Sequence, residues 1–304
     1  MASIALMNAQ AIADCNFQIR AELPVTLTGL HPLIMVNIDG SDVPVVLDSG
    51  ATFNLLSYDA AAKLRLRLQS LRGSAAVTGV GGSGHTLLAL TVADVRLGAV
   101  RVANAKFIVS GAQIGSAAGF IGDGILRNFD VDYDLTGGVV RLARASGCDG
   151  VPLAYWAKSQ RYSVADMDKD AGLPVIVGYI NGVETRIEFD TGASTSILDI
   201  RAAARAGVSP QSAGAVPGGD VYGVGRSYVK TWVVPVASVK IGNEETRNTR
   251  LRIGDISSSG ADLLLGTDFF LAHHVYLSNS QHKIYFTYNG GPAFDLNPLQ
   301  RDAR

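Results

Sequence analysis

Short apolar runs divided by glycine-bearing turns set the rhythm of the chain. Ile34–Ile38 and Val43–Leu47 alternate or run apolar, and Asp39-Gly40-Ser41-Asp42 between them predicts a hairpin turn. The same figure returns as Val175–Ile180 and Thr185–Phe189 around Asn181-Gly182, the pair favoured in a type I′ turn. Beyond each hairpin a capping residue opens an alanine-rich stretch, Ser57–Leu64 and Asp199–Gly207, which predicts one short helix in each place. The remaining apolar stretches, rich in Val, Ile and Leu, are strand-length, and none approaches the roughly 20 residues that cross a bilayer. The pattern predicts a mainly β protein with short helices.

The pattern also repeats. One constant offset carries Val77, Gly79, Val80, Gly81 and Ser83 onto Val221, Gly223, Val224, Gly225 and Ser227. It then carries Val92, Ala93, Val95 and Gly98 onto Val236, Ala237, Val239 and Gly242, and Gly122 onto Gly266. A nearly equal offset places Gly40, Asp48, Gly50 and Ala51 on Gly182, Asp190, Gly192 and Ala193. Chance does not hold one register through so many glycines and strand positions. Two copies of one unit are expected, at 31–144 and 173–290. The connector 145–172 carries Cys148 and the aromatic patch Pro152–Trp156, and is expected to pack across both halves; the polar tail 291–304 is expected to be loose.

Composition narrows the function. The 304 residues suffice for about two domains. Lys plus Arg (26) nearly cancel Asp plus Glu (27), so the basic excess of a nucleic-acid binder is missing. Two cysteines make neither a disulfide framework nor a zinc cluster, and the five histidines show no HExxH spacing. No metal and no cofactor are expected. Adjacent His273 and His274 on a strand are expected to face opposite ways, as surface or capping groups. Gly81-Gly82-Ser83-Gly84 is too short and wrongly ordered for a phosphate loop.

Residues 1–13 are uncharged, apolar and rich in small side chains, like the last part of a secretory signal with Ala11-Ile12-Ala13 as its cleavage site, although the positive opening region is missing. Export is therefore expected. Cys15 and Cys148 both survive such a cleavage and can pair in an oxidising compartment. Asp14 stands where a lipoprotein needs a small residue, so no lipid anchor is expected.

Each copy places an aspartate at the end of a buried strand: Val45-Val46-Leu47-Asp48-Ser49-Gly50-Ala51-Thr52 and Ile187-Glu188-Phe189-Asp190-Thr191-Gly192-Ala193-Ser194. One D-[ST]-G is a common turn sequence. Two, at matching places in a repeat, predict a pair. Carboxylates brought together across a pseudo-twofold axis cannot both ionise cheaply, so they share a proton and titrate at two separated values. The ionised member can then take a proton from a water while its partner hydrogen-bonds a peptide carbonyl. Gly50 and Gly192 let the two loops approach, and Ser49 and Thr191 are placed to exchange hydrogen bonds between them. Asp123, Asp130, Asp132, Asp134 and Asp268 lack this setting and are expected to be turn or surface groups.

These motifs resemble the active-site signature of aspartic peptidases, and the short alanine-containing form is similar to that of the retropepsins. Thr78-Gly79-Val80-Gly81-Gly82 and Tyr222-Gly223-Val224-Gly225 resemble the family's glycine-rich flap. Phe120-Ile121-Gly122 and Leu264-Leu265-Gly266 resemble its apolar-glycine motif. The resemblance covers most of the chain and implies two retropepsin-like acid-protease β-barrel lobes related by a pseudo-twofold axis. It is similar to the single-chain retropepsin-like proteases of bacterial envelopes. That implies an endopeptidase of the periplasm, monomeric with an intrachain pseudo-dimer, performing limited processing of an envelope or periplasmic protein bound as an extended peptide. Catalysis would fall to Asp48 and Asp190, and the backbone of Gly79 and Gly223 would meet the substrate. Tyr222 would cover the pair or pack in the core. Pepsin-like enzymes carry a hydroxyl three residues after each aspartate; here Ala51 and Ala193 remove that donor, which implies raised pKa values and a mildly acidic to near-neutral optimum. The alternatives are a peptidase fold that binds peptides without turnover, and a dimer in which repeats pair between chains.

Overall fold

The computed structural model describes residues 15–70, 76–86, 88–111, 114–157, 161–223, 227–257 and 259–294. The expected signal remnant 1–13 and most of the tail fall outside them, as do Val224 and Gly225 of the second glycine-rich loop.

Apolar alternation closes each half into a six-stranded barrel. In the first, His31–Ile38, Ser41–Leu47, Gly119–Ile121, Asn54–Ser57, Val100–Ser110 and Leu88–Leu97 pair in that order. The ring closes where Asn37 and Ile38 meet Arg96 and Val95. In the second, Val175–Ile180, Val183–Phe189, Leu263–Leu265, Ile197–Asp199, Glu244–Gly254 and Val229–Ile241 follow the same order and close at Tyr179 and Ile180 against Lys240 and Val239. One face of each strand fills its barrel: Val36, Val45, Leu47, Val95 and Val109 in the first, Ile187, Phe189, Leu198, Val234 and Ile253 in the second, all fully buried. Each such side chain contributes about 1.5–3 kcal/mol by leaving water, which makes this alternation the chief stabilising term.

The predicted turns and helices form. Asp39 and Gly40 have φ of 45° and 91°, and Asn181 and Gly182 have 50° and 79°, the left-handed pair a type I′ turn demands. Tyr58–Lys63 is a helix whose Ser57 side chain accepts from the Ala60 N–H, and Ile200–Arg205 is one whose Asp199 accepts from Arg201.

A third sheet joins the barrels, ordered Asn16–Pro24, Val139–Ser146, Asp130–Asp134, His273–Ser278, Lys283–Tyr288, Ser163–Asp166. At its centre the two copies pair directly, with Tyr133 opposite Val275. The connector packs against this sheet. Leu153 and Ala154 meet Ala143, Tyr276 and Tyr285, and Trp156 stacks on His274 with ring centroids 4.2 Å apart. Cys15 and Cys148 form a disulfide, tying the first described strand to the connector.

Two expectations are corrected here. His273 and His274 do face opposite ways, but both are buried: His273 stacks on Phe269 and bonds Glu244 at 2.9 Å, while His274 bonds Asp132. Asp130, Asp132 and Asp268 are likewise interior. Asp130 accepts from Tyr276, Ser278 and Ser280; Asp132 accepts from Tyr155 and Arg141; Asp268 accepts from Ser196. Buried polar groups persist where every one finds a partner, and the partners here come from distant segments. Among the described residues no helix is long and apolar enough to cross a membrane.

Candidate active site

Strands Ser41–Leu47 and Val183–Phe189 end side by side at the junction of the barrels and deliver Asp48 and Asp190. The Asp48 N–H donates to the Ile121 carbonyl at 3.0 Å, and the Asp190 N–H to the Leu265 carbonyl at 2.9 Å. The apolar-glycine segments thus run directly beneath the two aspartate loops. Phe120 lies parallel beside Val46 and antiparallel to Leu55, so the short strand wedges between two others. Gly122 and Gly266 permit the wedge: a Cβ on Gly122 would lie 2.5 Å from the carbonyl oxygens of Ala51 and Phe53, and one on Gly266 would lie 2.5 Å from the Thr195 backbone.

The loops then lock across the junction. The Ser49 N–H donates to the Thr191 hydroxyl and the Thr191 N–H to the Ser49 hydroxyl, both at 3.0 Å. Each hydroxyl in turn donates to the other lobe's strand, Ser49 to the Phe189 carbonyl and Thr191 to the Leu47 carbonyl, both at 2.7 Å. The phenol of fully buried Tyr133 points at Ser49 and Thr191 from the central sheet.

Gly50 and Gly192 flank the carboxyls so closely that no side chain fits. A Cβ on Gly192 would sit 2.5 Å from the Asp48 carboxyl, and one on Gly50 would sit 2.5 Å from that of Asp190. The two carboxyls are hydrogen-bond partners. Burial, then the charge of Asp190, then the bond to it raise the Asp48 pKa well above the ordinary carboxylate range. Burial also raises Asp190, opposed by the N–H of Gly192 at 2.8 Å, by Asp48 and by the N–H of Ala193 at 3.2 Å. Asp190 has the closer donors. These donors favour charge on Asp190 over charge on Asp48.

The glycine-rich loops meet each other. Ala76–Gly79 and Gly82–Thr86 form a hairpin turning at Val80 and Gly81. The Ser227 N–H donates to the Gly81 carbonyl at 3.2 Å, and a Cβ on Gly223 would lie 2.9 Å from Val80. Val80 leans, with Val221, on the apolar cluster Ile197, Ile256, Ala261 and Leu264 of the second barrel. Tyr222 does not pack in the core: it is 74% exposed and meets Tyr228 edge-on.

Several residues of this region escape a sequence reading. Asn54 and Ser196, at equivalent places, accept from the N–H of Gly122 (3.1 Å) and Gly266 (3.0 Å) and so hold the wedge strands. His31 bonds Ser194 across the lobes at 3.2 Å. Glu188, two residues before Asp190, is a buried carboxyl where the first copy has Val46. The mismatch inside the repeat was its only signal in the sequence.

Two barrels of one topology, each giving one aspartate to a pair at their junction, define a bilobal acid-peptidase fold. The model of the aspartyl protease family matches the chain twice, at residues 34–126 and 176–269, which together make more than half of it. The chain belongs to the aspartyl protease family. Among solved structures it is similar in fold to the aspartic proteinase from Irpex lacteus, with a TM-score of 0.53 at 12% identity, covering 88% of this chain and 97% of that one. A comparison with curated proteins finds no match.

Proposed function

We propose that the chain is an aspartic endopeptidase in which Asp48 and Asp190 activate a water against a peptide bond. The observation that carries this reading is the juxtaposition of two carboxyls from different lobes, each lying against the glycine that follows its partner. Asp190, ionised, takes a proton from the water, whose oxygen bonds the peptide carbon, while protonated Asp48 hydrogen-bonds the carbonyl oxygen and then transfers its proton to it. The product is a gem-diol. Asp190 returns its proton to the nitrogen, the C–N bond breaks, and Asp48 recovers a proton from a diol hydroxyl as the new carboxyl forms. An extended substrate would take main-chain hydrogen bonds from the loops at Gly79 and Gly223.

The chain acts alone on this reading, because one molecule supplies both aspartates. Export to an oxidising compartment such as the periplasm is supported by the Cys15–Cys148 disulfide, a bond that persists there; limited processing of an envelope protein is the substrate part of the same proposal. Digestion of a peptide library between about pH 3 and 8, beside Asp48→Asn and Asp190→Asn, tests the reading. Cleavage by the wild type that both variants lose is expected. A folded wild type that cleaves nothing would replace it with a peptide-binding module, and variants that still cleave would overturn the assignment of catalysis to Asp48 and Asp190.

A further inference from the structure

The equivalent strand positions of the two copies differ in polarity at one place, and that place adjoins Asp190. In the first barrel, Val46 lies opposite Leu33 and beside Phe120, which is opposite Leu55, and these four pack as one apolar cluster. In the second, Glu188 lies opposite Val175 and beside Leu264, which is opposite Ile197. The register therefore equates Leu33, Val46, Phe120 and Leu55 with Val175, Glu188, Leu264 and Ile197. One valine of the apolar set has become a glutamate.

Glu188 shares its strand face with Asp190, two residues on. It is only 5% exposed and makes no hydrogen bond or ion pair among the described residues. Its Oε1 and the Asp190 carboxyl close on one point: a Cβ at Gly50 would lie 2.9 Å from the first and 2.5 Å from the second. The adjoining cluster of Ile197 and Leu264 is the one that Val80 of the first glycine-rich loop covers. Glu188 thus lies in the floor of the cleft, under the loop and beside the aspartates.

Resting on the peptidase reading above, we propose that Glu188 determines specificity: it recognises a lysine or arginine side chain at one of the two substrate residues flanking the scissile bond, and the Leu33, Val46, Leu55 and Phe120 cluster takes an apolar side chain at the other. A buried carboxyl without a partner is costly, and a substrate cation supplies the missing counter-charge. An apolar side chain leaves the carboxyl unpaired and is rejected. The facing charges agree. Burial, then Asp190 and Asp48, push the Glu188 pKa up to about 9, and Arg186 on the same strand pulls the other way. Arg186 is already engaged by Asp168 at 3.2 Å. Free Glu188 therefore carries its proton at neutral pH and releases it when a cation arrives, so the preference for lysine over its neutral analogues grows as pH rises toward 9.

The test profiles cleavage sites in a peptide library for wild type, Glu188→Val and Glu188→Gln, with thermal melts to verify folding. The wild type is expected to cut between a basic and an apolar residue. Both variants are expected to lose the basic preference by about tenfold or more, the scale of a charge-assisted hydrogen bond, and Glu188→Val to accept apolar residues on both sides. An unchanged profile in Glu188→Val, or a wild type indifferent to basic residues, would overturn the proposal. A second arm measures binding of fluorescent peptides with Lys or Leu at each central position to Asp48→Asn, with and without Glu188→Val. Lysine preference that disappears with Glu188 supports the subsite even for a protein that hydrolyses nothing; equal binding, or none, overturns it.

Discussion

The Ser49 N–H reaches the Thr191 hydroxyl at 3.0 Å, and the Thr191 N–H reaches the Ser49 hydroxyl at the same distance. Four hydrogen bonds follow from this exchange, because each hydroxyl also donates to a carbonyl of the opposite lobe. All four are buried and join segments far apart in sequence, so the spacing of Asp48 and Asp190 depends on them. Ser49→Ala and Thr191→Val are each expected to cost about 1–3 kcal/mol, since each strands a buried N–H and a buried carbonyl. Their double mutant should cost less than the sum of the singles, measured by denaturant unfolding.

Gly192→Ala tests the cradle without straining the backbone, since Gly192 does not sit in the left-handed region. Its Cβ would meet the Asp48 carboxyl at 2.5 Å and push it out of line. A displacement near 1 Å is expected to lower kcat about 100-fold. The loss should appear in kcat while the circular dichroism spectrum stays that of the wild type.

The pH–rate profile follows from the raised carboxyls. Turnover needs one carboxyl ionised and its partner protonated, and burial lifts both above the ordinary range. The active window therefore moves up with them, to a mildly acidic or near-neutral maximum. Ala51 and Ala193, lacking hydroxyls, add nothing to favour the charged form beyond their backbone N–H groups. A maximum found only below about pH 3 would refute the assignment of these shifts.

Glu188 imposes a stability trend of definite sign. Its folded pKa of about 9 exceeds the ordinary 4.5. Below 4.5 both folded and unfolded chains hold the proton, and the contribution is fully present. Between 4.5 and 9 only the folded chain retains it, so stability falls as pH rises. Glu188→Gln should flatten this part of the melting-temperature profile, and an unchanged slope would count against the buried carboxyl.

Reduction of the Cys15–Cys148 bond opens a loop of 133 residues. Removal of such a link is expected to cost about 2–5 kcal/mol, chiefly through the freedom returned to the unfolded chain. Thermal melts with and without reductant measure it.

Much of this molecule was legible along the chain because its signals are local or periodic. The alternation that fills each barrel, the Asn181-Gly182 turn, the Ser57 and Asp199 caps and the D-[ST]-G pair all depend on neighbours in sequence, and the repeat doubled each of them. The joining of Asp48 to Asp190 was inferable because a duplicated unit closes on itself around a pseudo-twofold axis. The interior of His274 and Asp132 was not, since composition assigns charged groups to the surface and only the meeting of distant strands gives them partners. Glu188 shows the same limit. Its sequence setting is an ordinary strand, and its burial beside Asp190 is decided by the packing of two lobes and a loop tip, interactions whose strength depends on distance in space rather than on position along the chain.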